Sequence, residues 1–254
     1  MNTTAGTYLR NASATLLLVT AFVVLQSAPT AGLQAGEPSE VMKQFLESSP
    51  PAAGAHGQSD PHAGLSAEKM AQVALAHLDE SRTQLAFQTL DTAIARYPEN
   101  AMLLSIRASM LLQGQRTSEA LADLNHALEI NPHDPVLLTN RAQALRQFDR
   151  REDAMHDLDQ ALKLDPGFVA ALFNRGSLNF EAGRFDQALV DFDRCVELEP
   201  AAPAGYFNRA ATLDALGERQ RAIADLRHFL TLPAEPGWQQ IARDMLQQWD
   251  SDQS

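Results

Sequence analysis

Seven histidines are scattered along the chain, at His56, His62, His77, His126, His133, His156 and His228. None stands at a metal-ligand spacing from another histidine or from a cysteine. His56 and His62 have no cluster of carboxylates or thiolates beside them, so no metal site is expected. The lone cysteine, Cys195, excludes an internal disulfide and any multi-cysteine metal centre. There is no glycine-rich phosphate loop and no nucleophile elbow. No catalytic residue and no cofactor is therefore expected. The chemistry that does recur is polar recognition. Asn140, Asn174 and Asn208 are spaced 34 residues apart. An amide side chain both donates and accepts, so it pairs with an extended peptide backbone or with a neighbouring helix. Arg107, Arg141, Arg175 and Arg209 share that spacing, as do Asp123, Asp157, Asp191 and Asp225. The same four periods carry both sets. That points to Arg–Asp pairs between helices, with a basic stripe gripping a partner's carboxylate as the alternative.

The elements that would hold these residues follow from the same period. Prolines fall at Pro98, Pro132, Pro166 and Pro200, each 34 residues after the last. With each proline at offset 32, the units are 67–100, 101–134, 135–168, 169–202 and 203–236, and in the fifth the proline slips to Pro233. Offset 20 is alanine five times, at Ala86, Ala120, Ala154, Ala188 and Ala222. Offset 8 is always small: Ala74, Ala108, Ala142, Gly176 and Ala210. Large apolar residues fill offset 24 (Leu90, Leu124, Leu158, Phe192, Leu226) and offset 28 (Ile94, Leu128, Leu162, Val196, Leu230). Apolar residues recur at helical spacing over offsets 2–14 and 18–31 of each unit, with breakers such as Gly114-Gln115, Phe148-Asp149, Gly183 and Gly217 between them. Each unit thus reads as two helices that approach closely at the small positions. One hairpin cannot bury its apolar face, but a stack of five can, so the fold expected is an all-α solenoid. Cys195 sits at offset 27, where other units place alanine or phenylalanine, and reads as a packing residue. Beyond the fifth unit, Trp238, Ile241, Met245, Leu246 and Trp249 share one face of a segment within 237–254, a capping helix with a short tail.

The period, the small positions, the alanines and the prolines resemble the tetratricopeptide repeat family over residues 67–236. The fourth unit carries the resemblance most clearly, with Leu172-Phe-Asn-Arg-Gly176, Gly183-Arg-Phe-Asp-Gln-Ala188 and Val196-Glu-Leu-Glu-Pro200. The first unit diverges most, with Arg96 and Tyr97 before its proline. The resemblance implies a right-handed α-solenoid whose first helices line a concave groove that binds a protein or peptide. It places Asn140, Asn174 and Asn208 in that groove, similar over three units to the asparagine ladder of peptide-threading superhelices. It adds Phe173, Phe180 and Phe207 as an apolar anchor site, with Gln143, Arg146 and Ser177 beside them. Some of these phenylalanines are core on the plainer reading.

Charge and composition agree. The formal net charge of −12 argues against a nucleic-acid surface, and aromatics at 6% leave a core of Leu, Ala, Val and Ile. No small-molecule substrate is inferred, and the oligomeric state is open. Residues 1–35 hold one basic residue, Arg10, then the apolar run Leu16–Leu25 and small residues around Ala31 and Ala35. That is the pattern of a cleaved signal peptide, with an uncleaved anchor as the alternative. Residues 36–66 are rich in Pro, Gly and Ser and read as a flexible linker, interrupted by a possible docking motif at Val41, Met42, Phe45 and Leu46. The expectation is an exported, periplasmic, non-enzymatic adaptor. The alternatives are a self-assembling scaffold and a membrane-tethered assembly factor.

Overall fold

The computed structural model describes residues 64–251. The signal pattern, most of the linker with Val41, Met42, Phe45, Leu46, His56 and His62, and residues 252–254 lie outside the described residues. Eleven helices and no strand occur among the described residues. They are α1 (Ala67–Asp79), α2 (Thr83–Arg96), α3 (Ala101–Gln113), α4 (Thr117–Ile130), α5 (Pro135–Gln147), α6 (Arg151–Leu164), α7 (Val169–Glu181), α8 (Phe185–Leu198), α9 (Pro203–Ala215), α10 (Arg219–Phe229) and α11 (Pro236–Ser251). The first ten form five hairpins, one per repeat. We call the odd-numbered members A helices and the even-numbered members B helices. The described residues fall into two compact units, 64–132 and 133–251.

Local chemistry sets the helix ends. At offset 34, Ser66, Asn100 and Asp134 cap the first three A helices, accepting from the backbone N–H groups of Lys69, Leu103, and Val136 with Leu137. Pro203 opens α9, where its missing N–H has no intrahelical partner to lose. Every A helix ends in the same motif. The residue at offset 15 is left-handed in all five repeats: Ser81, Gln115, Asp149, Gly183 and Gly217, with φ of 58°, 58°, 57°, 71° and 81°. The next N–H then reaches back five residues, as from Arg116 to the Leu111 carbonyl at 2.8 Å and from Arg184 to that of Asn179 at 2.8 Å. This motif closes each A helix at offset 13, and both helices of a repeat start one residue earlier than the apolar periodicity predicts. The B helices end where Tyr97, Asn131, Asp165 and Glu199 leave helical geometry (ψ between 65° and 97°), as a residue before proline must. In the fifth repeat, α10 stops early at Phe229.

The small positions are where the hairpin helices meet. All five alanines at offset 20 are 0% exposed, and those at offset 8 are buried. Gly176 shows why size matters there. A Cβ at this position would meet Cε1 and Cζ of Phe192 at 3.0 and 3.1 Å. Phe192 stands where the other four units have leucine, so the missing methyl makes room for the larger ring.

The repeated Arg and Asp residues are paired, as their co-occurrence predicts. Arg107 meets Asp123 through Nε and Nη2, both at 2.8 Å. Arg141 meets Asp157 at 2.7 and 2.8 Å, Arg175 meets Asp191 at 3.0 and 2.7 Å, and Arg209 meets Asp225 at 2.7 Å twice. Each pair joins an A helix to its own B helix. In three repeats Nη1 also reaches the preceding B helix: Arg107 to Asp91 at 2.8 Å, Arg175 to Asp159 and Arg209 to Asp193, both at 2.9 Å. Hydrogen bonding to Asp123, Asp191 and Asp225 holds the three guanidiniums above their ordinary pKa. With both carboxylate oxygens engaged inside the hairpin, these arginines are structural rather than a stripe for a partner.

At the C-terminal end of the second unit, α11 covers the last hairpin. Trp238, Ala242 and Trp249 are buried with Phe207, Leu226 and Phe229, and Ile241, Met245 and Leu246 pack against the same core. Arg219 lies over the Trp249 ring, 4.9 Å from its centroid, and pairs with Asp214.

Candidate binding face

Offsets 5, 6, 9, 12 and 13 run down one side of each A helix. In the unit 133–251 this side carries every residue that the sequence singles out for binding. On α5, Asn140, Gln143 and Arg146 are partly exposed. On α7, Phe173 is partly exposed, whereas Asn174, Ser177 and Phe180 are buried. On α9, Phe207 and Asn208 are buried.

Burial divides this set by chemistry. The Asn174 amide donates to the Ala170 carbonyl at 2.8 Å, and that of Asn208 donates to the Ala204 carbonyl at 2.9 Å. Ser177 Oγ donates to the Phe173 carbonyl at 2.8 Å. All three bonds run four residues back within the same helix, so these donors are turned inward. Of the two readings of the asparagine series, the structural one describes Asn174 and Asn208, with the bond made to their own helix rather than to a neighbour. The amide oxygen of Asn208 is buried without a hydrogen-bond partner. Phe207 packs between Phe229 and Trp238 at centroid distances of 5.4 and 5.3 Å, and Phe180 meets Phe185 edge-on at 5.2 Å. Both are core residues. Phe173 sits edge-on to Phe192 at 5.7 Å and is only partly buried.

Arg146 has a partner that offset reasoning passed over. Glu181, the last residue of α7, places Oε1 3.7 Å from Arg146 Nη1. That is an ion pair but too long for a hydrogen bond. Both side chains are withdrawn from water, 12% and 9% exposed, and neither of the two facing atoms has a hydrogen-bond partner. Burial pushes the Arg146 guanidinium below its ordinary pKa, against the pull of Glu181. Glu181 lies at offset 13, next to the offset of Arg146. The signal in the sequence was that adjacency, one repeat on.

The Cys195 thiol is buried, and burial, with Asp191 and Glu199 nearby, pushes its pKa up to about 12. No group of three or more His, Cys, Asp or Glu side chains is placed to hold a metal ion among the described residues. No described helix is long and apolar enough to cross a membrane.

Comparison with known proteins settles the family. A family model described as Tetratricopeptide repeat matches residues 74–135 and 139–203. The chain belongs to the tetratricopeptide repeat family. No curated protein matches it in sequence. Among solved structures, PilW, described as a widely conserved type IV pilus biogenesis factor, superposes with a TM-score of 0.61 at 21% identity, covering 66% of this chain and 78% of its own. MamA from Desulfovibrio magneticus RS-1 gives 0.56 at 12% identity, covering 66% and 96%. YrrB, described as a tetratricopeptide repeat protein with an unusual peptide-binding site, gives 0.52 at 18% identity, covering 70% and 92%. At these identities the likeness shows the fold: an all-α helical repeat of stacked hairpins. Tetratricopeptide repeats are in general non-enzymatic interaction scaffolds, and this chain has their architecture.

Proposed function

We propose that the chain is a non-enzymatic adaptor that binds a protein or peptide partner on the A-helix face of residues 133–251, and that it works in the cell envelope after export. The observation that carries the binding reading is the make-up of that face. Asn140, Gln143 and Phe173 remain partly open on it, combining an apolar ring with amide side chains that donate and accept. YrrB, described as carrying an unusual peptide-binding site on the same fold, supports a peptide as ligand. PilW, described as a type IV pilus biogenesis factor, supports a role in envelope assembly. Export rests on the apolar run Leu16–Leu25 followed by small residues.

The test is site-specific crosslinking in intact cells. A photoreactive residue at position 143 is expected to trap a defined partner, and Phe173→Ala is expected to reduce the yield at least several-fold. The same residue at exposed Val190, on α8, is the control and is expected to trap none. Equal crosslinking from both positions, or a yield indifferent to Phe173→Ala, would remove the assignment of this face.

A further inference from the structure

A cavity of about 310 Å³ opens between α6 and α7, lined by Asp159, Leu162, Lys163, Pro166, Leu172 and Arg175. It lies off the A-helix face. Leu172 and Arg175 stand at offsets 4 and 7, and the other walls come from the preceding B helix and the proline after it. Its charged groups reach solvent: the side chains of Arg175 and Asp159 are 28% and 48% exposed. The volume is at the lower end for ligand clefts and suits a single side chain.

The charges limit what enters. A carboxylate approaching Arg175 would meet Asp159 in the same wall, and an ammonium approaching Asp159 would meet Arg175 and Lys163. Arg175 also has its acceptors already. Nε and Nη2 donate to Asp191 at 3.0 and 2.7 Å, and Nη1 donates to Asp159 at 2.9 Å. What stays uncommitted is the flat face of the guanidinium, and an aromatic ring is the group that such a face attracts. The next repeat shows the arrangement filled. Arg209 makes the same three bonds, to Asp225 and Asp193, and its Cζ lies 5.5 Å from the centroid of the Tyr206 ring. Tyr206 stands one period after Leu172. With that ring in place Arg209 is 19% exposed, whereas beside Leu172 Arg175 keeps 28% and the cavity. The rim adds a second feature. Offset 29 is Ala95, Glu129, Lys163, Glu197 and Thr231, so only this junction carries a basic residue there. Lys163 is exposed and has no ion-pair partner among the described residues. We propose that this cavity is a second protein-binding site, separate from the A-helix face, which takes an aromatic side chain of the partner over Arg175 and sets an adjacent acidic residue against Lys163.

The experiment uses the full chain labelled with nitrogen-15 and carbon-13, with the Arg175 Nε–Hε resonance assigned by through-bond correlation along its side chain. Three end-blocked dipeptides, Phe-Glu, Leu-Glu and Phe-Gln, are titrated. Phe-Glu is expected to move the resonance upfield through the ring current of the stacked aromatic. It is expected to bind about fivefold tighter than Leu-Glu and about threefold tighter than Phe-Gln. Leu172→Tyr puts the ring of the fifth repeat into the cavity and is expected to abolish the shift. Lys163→Glu, an exposed change to the residue of the second and fourth repeats, is expected to keep the shift and erase the preference for Phe-Glu over Phe-Gln. A resonance unmoved by Phe-Glu, or moved as far by Leu-Glu, would overturn the proposal. So would a Phe-Glu titration unaltered in folded Leu172→Tyr, or a preference for Phe-Glu that survives Lys163→Glu. If Leu172→Tyr fails to fold, the titrations of the unsubstituted chain and of Lys163→Glu still decide. Gln143→Ala, on the A-helix face, is expected to change none of these titrations, and lost binding there would move the peptide to that face and overturn the second site.

Discussion

At the scale of single residues, the most instructive position is Gly176. A glycine inside a helix is ordinarily a defect of about 1 kcal/mol relative to alanine. Here the other four repeats carry alanine at the same offset, and the exception coincides with Phe192 in place of leucine. Phe192 is 0% exposed, so its ring has nowhere to withdraw. Gly176→Ala is therefore expected to destabilise the chain, although the helix propensity favours it. In a Phe192→Leu background the same substitution is expected to stabilise. The coupling read from a double-mutant cycle by urea unfolding should exceed about 1 kcal/mol. Additive effects would show that the contact at 3.0 Å is relieved without strain.

At the scale of elements, the hairpins are joined by ionic contacts of unequal worth. Asp191 is 2% exposed and gives both oxygens to Arg175, whereas Asp159 on the preceding B helix is 48% exposed at its side chain. Removing Arg175 strands a buried carboxylate, and Arg175→Ala is expected to cost about 3–5 kcal/mol. Asp159→Asn removes only a solvated partner and should cost less than about 1 kcal/mol. Arg175→Met combined with Asp191→Leu should recover most of the loss, because no buried charge is then left alone. Chemical denaturation of the three variants separates these outcomes. Equal losses from Arg175→Ala and Asp159→Asn would mean that the inter-repeat contact matters as much as the buried pair.

At the scale of the whole molecule, a stack of hairpins must stop somewhere without leaving an apolar end in water. In the second unit α11 does this with Trp238, Ala242 and Trp249 inward and Arg243, Asp244 and Gln247 outward. Deleting residues 236–254 uncovers the side of Phe207 and Phe229 on which Trp238 packs. The truncated chain is expected to sediment as a larger species than the full chain at equal concentration. Unchanged sedimentation would show that the end of the stack tolerates exposure and that α11 has another role.

The 34-residue period was sufficient to place five hairpins, their small contact positions, the Arg–Asp pairs and the covering helix. Each of these rests on spacing within one or two neighbouring helices, and five aligned copies report on one another. The helix ends were legible to within a residue or so; the left-handed turn at offset 15 shifted them, because Ser81, Gln115 and Asp149 give no glycine to announce it. The proposed binding face was legible only as a set of offsets. An offset fixes the direction in which a side chain leaves its helix, but not what neighbouring side chains fill around it. So Asn174 and Asn208 stand at the expected position yet bond their own helix, and Phe180 and Phe207 point as expected yet lie in the core. Only the packing of α5 against α7 brought Arg146 to Glu181 and left both short of a bond, because a contact between side chains 35 residues apart is set by how two helices meet.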